Sequence, residues 1–171
     1  MKDLLIAASL LLSLPVLAQT INQNIDNITP DSRYTVNNDG TVSDNETGLM
    51  WMQCAEGQTW ESNGGEGNCT GLVSLYTWDA ASALASDKAF AGYSDWRLPD
   101  IKELASLVAE DRYDPAINST IFPLTPSSSF WSGSLYVAYG NSSWAVNFYY
   151  GSDSGDNRSS RRNVRLVRSA P

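Results

Sequence analysis

The stretch Gly92-Tyr-Ser-Asp-Trp-Arg-Leu-Pro-Asp-Ile-Lys-Glu-Leu104 constrains this chain more than any other, because an extended run passes through a proline directly into an amphipathic helix. Pro99 drives Leu98 towards extended geometry, and on such a run Trp96 and Leu98 point to one side while Arg97 points to the other. Asp100 suits a helix N-cap, and Glu103 three residues later completes a capping box that satisfies two backbone donors. The pattern predicts a helix starting at Asp100, carrying a stripe of Ile101, Leu104, Ala105, Leu107 and Val108, and fading by Asp111. Thr77 is a capable cap for an earlier, alanine-rich helix from about Trp78 to Lys88, with Trp78, Ala81, Leu84 and Ala85 on its apolar face.

Elsewhere the signals are those of strands and turns. Thr41-Val42 and Gly48-Leu-Met-Trp51 flank the polar turn Asp44-Asn-Glu-Thr47, which predicts a β-hairpin. The oxygen-rich Asp39, Asp44, Asn45 and Glu46 read as turn chemistry, because their spacing does not follow the alternating ligand pattern of an EF-hand loop. Pro115, Pro123 and Pro126 mark an irregular connection. After it, Phe130 to Ser134, Trp144 to Tyr150 and Asn163 to Arg168 read as strands separated by polar, glycine-containing loops. Two helices early and an antiparallel sheet late give an α+β expectation.

The segment 1–18 joins Lys2 to the apolar run Leu4 to Leu14 and ends in Val16-Leu-Ala18, the pattern of a secretory signal peptide. Residues 19–33 are polar apart from Ile21, Ile25 and Ile28 and read as a linker, leaving 34–169 as one domain. No later apolar run is long enough to span a bilayer, so the expectation is an exported protein, periplasmic or secreted to the cell surface, without a membrane span after signal removal. The only two cysteines, Cys54 and Cys69, are expected to pair in an oxidising compartment, and closing a loop of that size contributes about 3 kcal/mol in the chain-entropy model. A formal net charge of −8 argues against a nucleic-acid partner.

The chain has no histidine, so it lacks the commonest general base and zinc ligand, and no serine or cysteine triad built on histidine can form. Glu103, Glu110, Asp111 and Asp114 are the nearest thing to a carboxylate cluster, but Glu103 already has a cap to make and the others read as solvated surface. Neither a metal nor a cofactor is expected, and no catalytic residue is assigned. A binding role fits better. Trp131 and Trp144 begin well-patterned strands and are expected inside, whereas Tyr136, Tyr139, Tyr149 and Tyr150 are candidates for an exposed aromatic surface that packs on sugar rings. The run 151–162 adds Arg158, Arg161 and Arg162, whose planar forks suit sulfate and carboxylate groups. Arg97 and Arg165 are expected in structural ion pairs.

Thr47-Gly-Leu-Met-Trp51, Thr77-Trp78, Gly92 to Pro99 with Glu103-Leu104, Phe122-Pro123, Phe130-Trp-Ser132, Trp144 with Phe148, and Val164-Arg-Leu-Val-Arg168 occur in an order that resembles the Lcl C-terminal domain family. The Trp-Arg-Leu-Pro run and the terminal Val-Arg-Leu-Val-Arg also resemble formylglycine-generating enzymes and other C-type lectin-like proteins. The resemblance implies a C-type lectin-like fold, two helices packed on a twisted antiparallel sheet with long loops. It implies an exported bacterial binding module for adhesion or recognition, with a carbohydrate, cell-surface glycan or sulfated polysaccharide as ligand. The family's namesake is a trimeric collagen-like adhesin, which implies a homotrimer. This chain differs from it in being acidic and in showing no Gly-X-Y run. The copper-holding cysteines of the formylglycine-generating relatives lie late in the chain, whereas Cys54 and Cys69 precede both expected helices. Two other readings stay open: a periplasmic structural or protein-interaction module, and an enzyme that modifies exported substrates.

Overall fold

The structure, a computed structural model, describes residues 19–62 and 67–171. The expected signal peptide, 1–18, lies outside the described residues. In chain order the strands are β1 (Thr20–Ile21), β2 (Tyr34–Val36), β3 (Thr41–Asp44), β4 (Leu49–Met52), β5 (Thr59–Ser62) and β6 (Gly67–Thr70). Helices α1 (Trp78–Asp87) and α2 (Ile101–Ala105) follow, then β7 (Arg112–Tyr113), β8 (Ser129–Leu135), β9 (Ser142–Asn147), β10 (Ser152–Asn157) and β11 (Val167–Ser169). They form a four-stranded sheet ordered β11-β4-β3-β2, a three-stranded sheet ordered β10-β9-β8, and the pairs β1-β7 and β5-β6. Every pairing of named strands is antiparallel.

The expectation of an α+β, C-type lectin-like fold is corrected by this arrangement. The described residues are mostly β, in four small sheets, with helices of only ten and five residues, and nothing in them shows a C-type lectin fold. Two local effects reduce the helix and raise the strand content. Helix α2 ends at Ala105 because the chain turns at Ser106 and Leu107 and Val108 then bridges to Ile117, so the apolar stripe continues into the core without continuing the helix. Conversely, Ser-Asp-Ser-Gly-Asp-Asn157 has no apolar residue and reads as a loop, yet it pairs along its whole length with β9, from Ser152 with Asn147 to Asn157 with Ser142. Backbone hydrogen bonds to an ordered neighbour suffice for an edge strand, whatever its side chains prefer.

The sheets separate two apolar cores. All four residues of β4 are buried, and period-two alternation sends Leu49 and Trp51 into one cluster and Met50 and Met52 into the other. The first cluster also contains Leu104 of α2, Phe122, Phe130, Val146 and Phe148. The second takes Ala81 and Ala85 of α1 with Trp96, Leu98, Trp131 and Ala145. Since Phe130 pairs with Val146 and Trp131 with Ala145, one face of the three-stranded sheet meets each cluster. Each large side chain removed from water here contributes about 1.5–3 kcal/mol.

The organising stretch sits between these parts. Trp96 and Leu98 enter the second cluster, while the Arg97 N–H donates to the Val167 carbonyl at 2.9 Å and the Val167 N–H returns a bond at 3.0 Å. Asp100 and Glu103 make the capping box in both directions, at 2.8 and 2.7 Å. The Cys54–Cys69 disulfide is formed and ties β6 to the chain just after β4. No helix among the described residues is long and apolar enough to cross a membrane.

The segment 19–33, expected to be a linker, is docked. Strand β1 pairs with β7, and the Gln19 amide donates to the carbonyls of Pro115 and Ile117. Asn118 donates to the Thr29 carbonyl and the Asp31 carboxylate at 2.8 and 2.7 Å. Arg33 forks onto the fully enclosed Asp44, with bonds of 2.9 and 2.5 Å.

Candidate functional site

Strand alternation and one glycine shape the far end of the three-stranded sheet. Trp144, the third residue of β9, has the same parity as Val146 and Phe148 but stays half-buried where they are buried. It pairs with Gly155 on β10, and the Tyr136 ring lies over that glycine, in space that any side chain there would occupy. Tyr136 meets Trp144 edge to face, centroids 4.6 Å apart, and stacks on Tyr139 at 5.8 Å with an interplanar angle of 24°. Tyr139 is 69 % exposed. The hairpin is held by the Tyr136 N–H on the Ser142 carbonyl at 3.0 Å and the Ser142 N–H on the Tyr139 carbonyl at 3.0 Å. The result is an aromatic platform with Asn141 and Asn157 at its edge, the Asn141 amide donating to the Asn157 side-chain oxygen at 3.5 Å.

Expected to lie inside, Trp131 is fully buried, but Trp144 forms a wall of the platform. The contribution of Asn141 and Asn157 rests on pairing of β9 with β10, which the polar sequence of β10 conceals.

The four candidate tyrosines do not come together. Tyr149 and Tyr150 occupy the β9–β10 turn, at the opposite end of a six-residue strand that spans roughly 20 Å. There they form a separate group with Tyr113: Tyr150 lies 5.9 Å from Tyr113 and 4.4 Å from Tyr149. A side-chain hydrogen bond with Tyr150, followed by the charges of Tyr150 and Asp114, raises the Tyr149 phenol above its ordinary pKa.

The arginines lie at the Tyr136 end, because β10 runs back to Asn157 opposite Ser142 and the Arg158 N–H donates to the Asn141 carbonyl at 3.0 Å. Two of them are already neutralised. Arg158 pairs with Asp79 and lies 4.0 Å from the Trp78 ring centroid, and Arg162 pairs with Asp156 at 2.5 Å. Arg161 is exposed, donates to the Leu75 carbonyl at 3.4 Å and has no carboxylate partner among the described residues. The expected cluster of three free forks is therefore reduced to one. The acidic body supplies the partners through Asp79 and Asp156, far apart in sequence.

Arg97 forks onto Glu103 with two bonds of 2.7 Å, which together raise the Arg97 pKa and hold the Glu103 carboxyl below its ordinary range. Among the described residues Arg165 has no ion-pair partner. Residues 164 and 166 point into the second cluster and residues 165 and 167 into the first, so alternation delivers the guanidinium among aromatic rings. It donates to the carbonyls of Met52 and Gln53 and to the Thr125 hydroxyl, and lies 4.8 Å from the Phe122 centroid. Burial lowers its pKa to about 9, which leaves it charged at neutral pH.

Of the carboxylates, Asp111 is buried on Arg112 with bonds of 2.8 Å, Glu103 is tied to Arg97, and Glu110 and Asp114 are exposed. Asp39 accepts from the Thr41 N–H and hydroxyl, at 2.9 and 2.6 Å, and Asp44 accepts from the Glu46 N–H at 3.1 Å as well as from Arg33. These are turn and ion-pair duties. Among the described residues no three histidine, cysteine or acidic side chains group as metal ligands would.

A search of curated proteins finds no match to the chain. The sequence profile of the Lcl C-terminal domain covers residues 40–168, from the glycine before β3 to the middle of β11. With its organising Trp-Arg-Leu-Pro run, its capped second helix and the Val164-Arg-Leu-Val-Arg168 run all inside that span, the chain belongs to the Lcl C-terminal domain family.

Proposed function

We propose that this domain is an exported, non-enzymatic module that recognises carbohydrate through the aromatic platform at the Tyr136 end of the three-stranded sheet. One observation carries the reading: Tyr139 is largely exposed and stacked on Tyr136, which is itself braced by Trp144 and Gly155. Such a face offers sugar C–H groups a rigid aromatic surface at little entropic cost, with the Asn141 and Asn157 amides at its rim to meet hydroxyls. The disulfide is consistent with export to an oxidising compartment, periplasmic or at the cell surface.

The charge arrangement favours a neutral glycan over a sulfated one. Asp79 and Asp156 occupy two of the three nearby arginines, and the chain as a whole carries −8. A polyanion would approach against this charge with Arg161 as its main unpaired contact. Binding rather than catalysis is supported by the absence of histidine from the sequence and by the separate commitments of Glu103 and Asp111.

A glycan array probed with the exported domain, at low and high salt, tests the reading. Salt-resistant binding of neutral glycans that Tyr139→Ala abolishes is the expected result. Binding confined to sulfated glycans and lost at moderate salt, or no binding at all, overturns it. A protein partner is the second reading, favoured by Val137 and Leu135, 94 % and 55 % exposed on the same hairpin. The trimer implied by the resemblance is tested on the same sample by sedimentation.

A further inference from the structure

The organising stretch lines a slot that its structural role leaves unused. The slot is lined by Trp78, Ser82 and Ser86 of α1, by Trp96 and Arg97, and by Gly133 of β8, which adds no side chain; about 240 Å³ lies between them, partly open to solvent. Both indole N–H groups are engaged, Trp78 on the Ser132 carbonyl at 2.8 Å and Trp96 on the Phe90 carbonyl at 3.2 Å, so the rings are held in place. Two donors remain. Among the described residues neither the Ser82 hydroxyl nor the Arg97 Nε–H donates to any group, although the other two guanidinium nitrogens of Arg97 are taken up by Glu103 and the Leu98 carbonyl.

The geometry points to this slot as a second ligand site that takes a single neutral sugar ring, a hexopyranose, independently of the tyrosine platform. The volume suits one such ring, and the half-buried Trp78 supplies an apolar wall for its C–H groups, with the edge of the core residue Trp96 behind it. The Ser82 hydroxyl and the Arg97 Nε–H, on two of the lining residues, are the donors left to bond ring hydroxyls. Neutrality follows from Glu103, which is forked onto Arg97 at 2.7 Å and would repel a carboxylate or sulfate approaching the same guanidinium. The site rests on the carbohydrate reading of the domain but uses none of the residues of the platform.

Tryptophan emission of the disulfide-bonded domain, titrated with the methyl glycosides of glucose, galactose and mannose and with glucuronate, tests the assignment. A saturable change with at least one neutral glycoside is expected in the parent and in Tyr136→Ala/Tyr139→Ala, with loss of the response in Ser82→Phe. Ser86→Phe, at an exposed position on the same wall, serves if Ser82→Phe does not fold. The assignment is overturned if no glycoside gives a saturable change, if glucuronate alone does, or if an aromatic amino-acid ester competes better than any sugar. Loss of the monosaccharide response in the tyrosine variant also overturns it while sparing the platform. A slot response that survives alongside array binding indifferent to Tyr139→Ala sinks the platform and leaves the slot.

Discussion

Replacing Arg33 by alanine should destabilise the domain by about 3–5 kcal/mol, because it strands a buried carboxylate. The side chains of Arg33 and Asp44 are 6 % and 0 % exposed, and two bonds join them. Burial alone would raise the Asp44 pKa, but hydrogen bonds from Arg33, Thr47 and the Glu46 backbone, with the Arg33 charge, hold it below the ordinary value. Asp44 thus binds its proton more weakly folded than unfolded. Its contribution is present above the unfolded pKa and is lost as pH falls through the folded one. In urea, with a slope of about 2 kcal/mol per molar, the loss at neutral pH moves the midpoint down by roughly 2 M. Arg33→Ala, Asp44→Ala and the double variant form a thermodynamic cycle. A coupling of about 1.5 kcal/mol or more is expected, together with a flatter acid limb of stability in both single variants. Coupling below about 0.5 kcal/mol, with an unchanged acid limb, refutes the argument that this pair anchors the N-terminal segment.

A chain beginning at Gly40 retains the family-matched span but loses β1, β2 and Arg33, so its urea midpoint should fall at least as far as that of Arg33→Ala. Cys54→Ser/Cys69→Ser, opening a loop of sequence separation 15, should cost about 3 kcal/mol, an effect that a reductant reproduces in the parent and not in the variant. Gly155→Ala drives a methyl group into the Tyr136 ring and should cost about 1–3 kcal/mol while disturbing the near-ultraviolet circular dichroism of the tyrosine–tryptophan group. Arg165→Lys should be strongly destabilising in thermal unfolding, since one ammonium on a flexible stem cannot reproduce a planar fork that meets two carbonyls and the Thr125 hydroxyl between aromatic rings.

What the sequence determined by itself is local. The extended run through Pro99, the Asp100–Glu103 capping box, the β3–β4 hairpin and the length of α1 are all set by interactions within a few residues, so reading along the chain finds them. The cysteine pair also follows, because the chain offers only one pairing. Family membership was legible for a related reason: Trp96, Leu98, Pro99 and the Val-Arg-Leu-Val-Arg run carry the contacts that hold the scaffold together.

Only the tertiary structure decided the rest. Strand β10 exists because β9 is beside it; the α+β, C-type lectin-like expectation failed partly on this point, since edge pairing leaves no periodic mark in Ser-Asp-Ser-Gly-Asp-Asn. Arg158 and Arg162 looked available as ligands until distant or returning segments brought Asp79 and Asp156 to them. Arg165 was expected in an ion pair, but alternation with Val164 and Leu166 places it where, among the described residues, carbonyls, a hydroxyl and ring faces answer its charge. Tyr149 and Tyr150 are close to Trp144 in sequence and a strand's length away in space. Charge partners and aromatic neighbours depend on which segments meet, and that is set by the packing of the two cores on either side of the sheets.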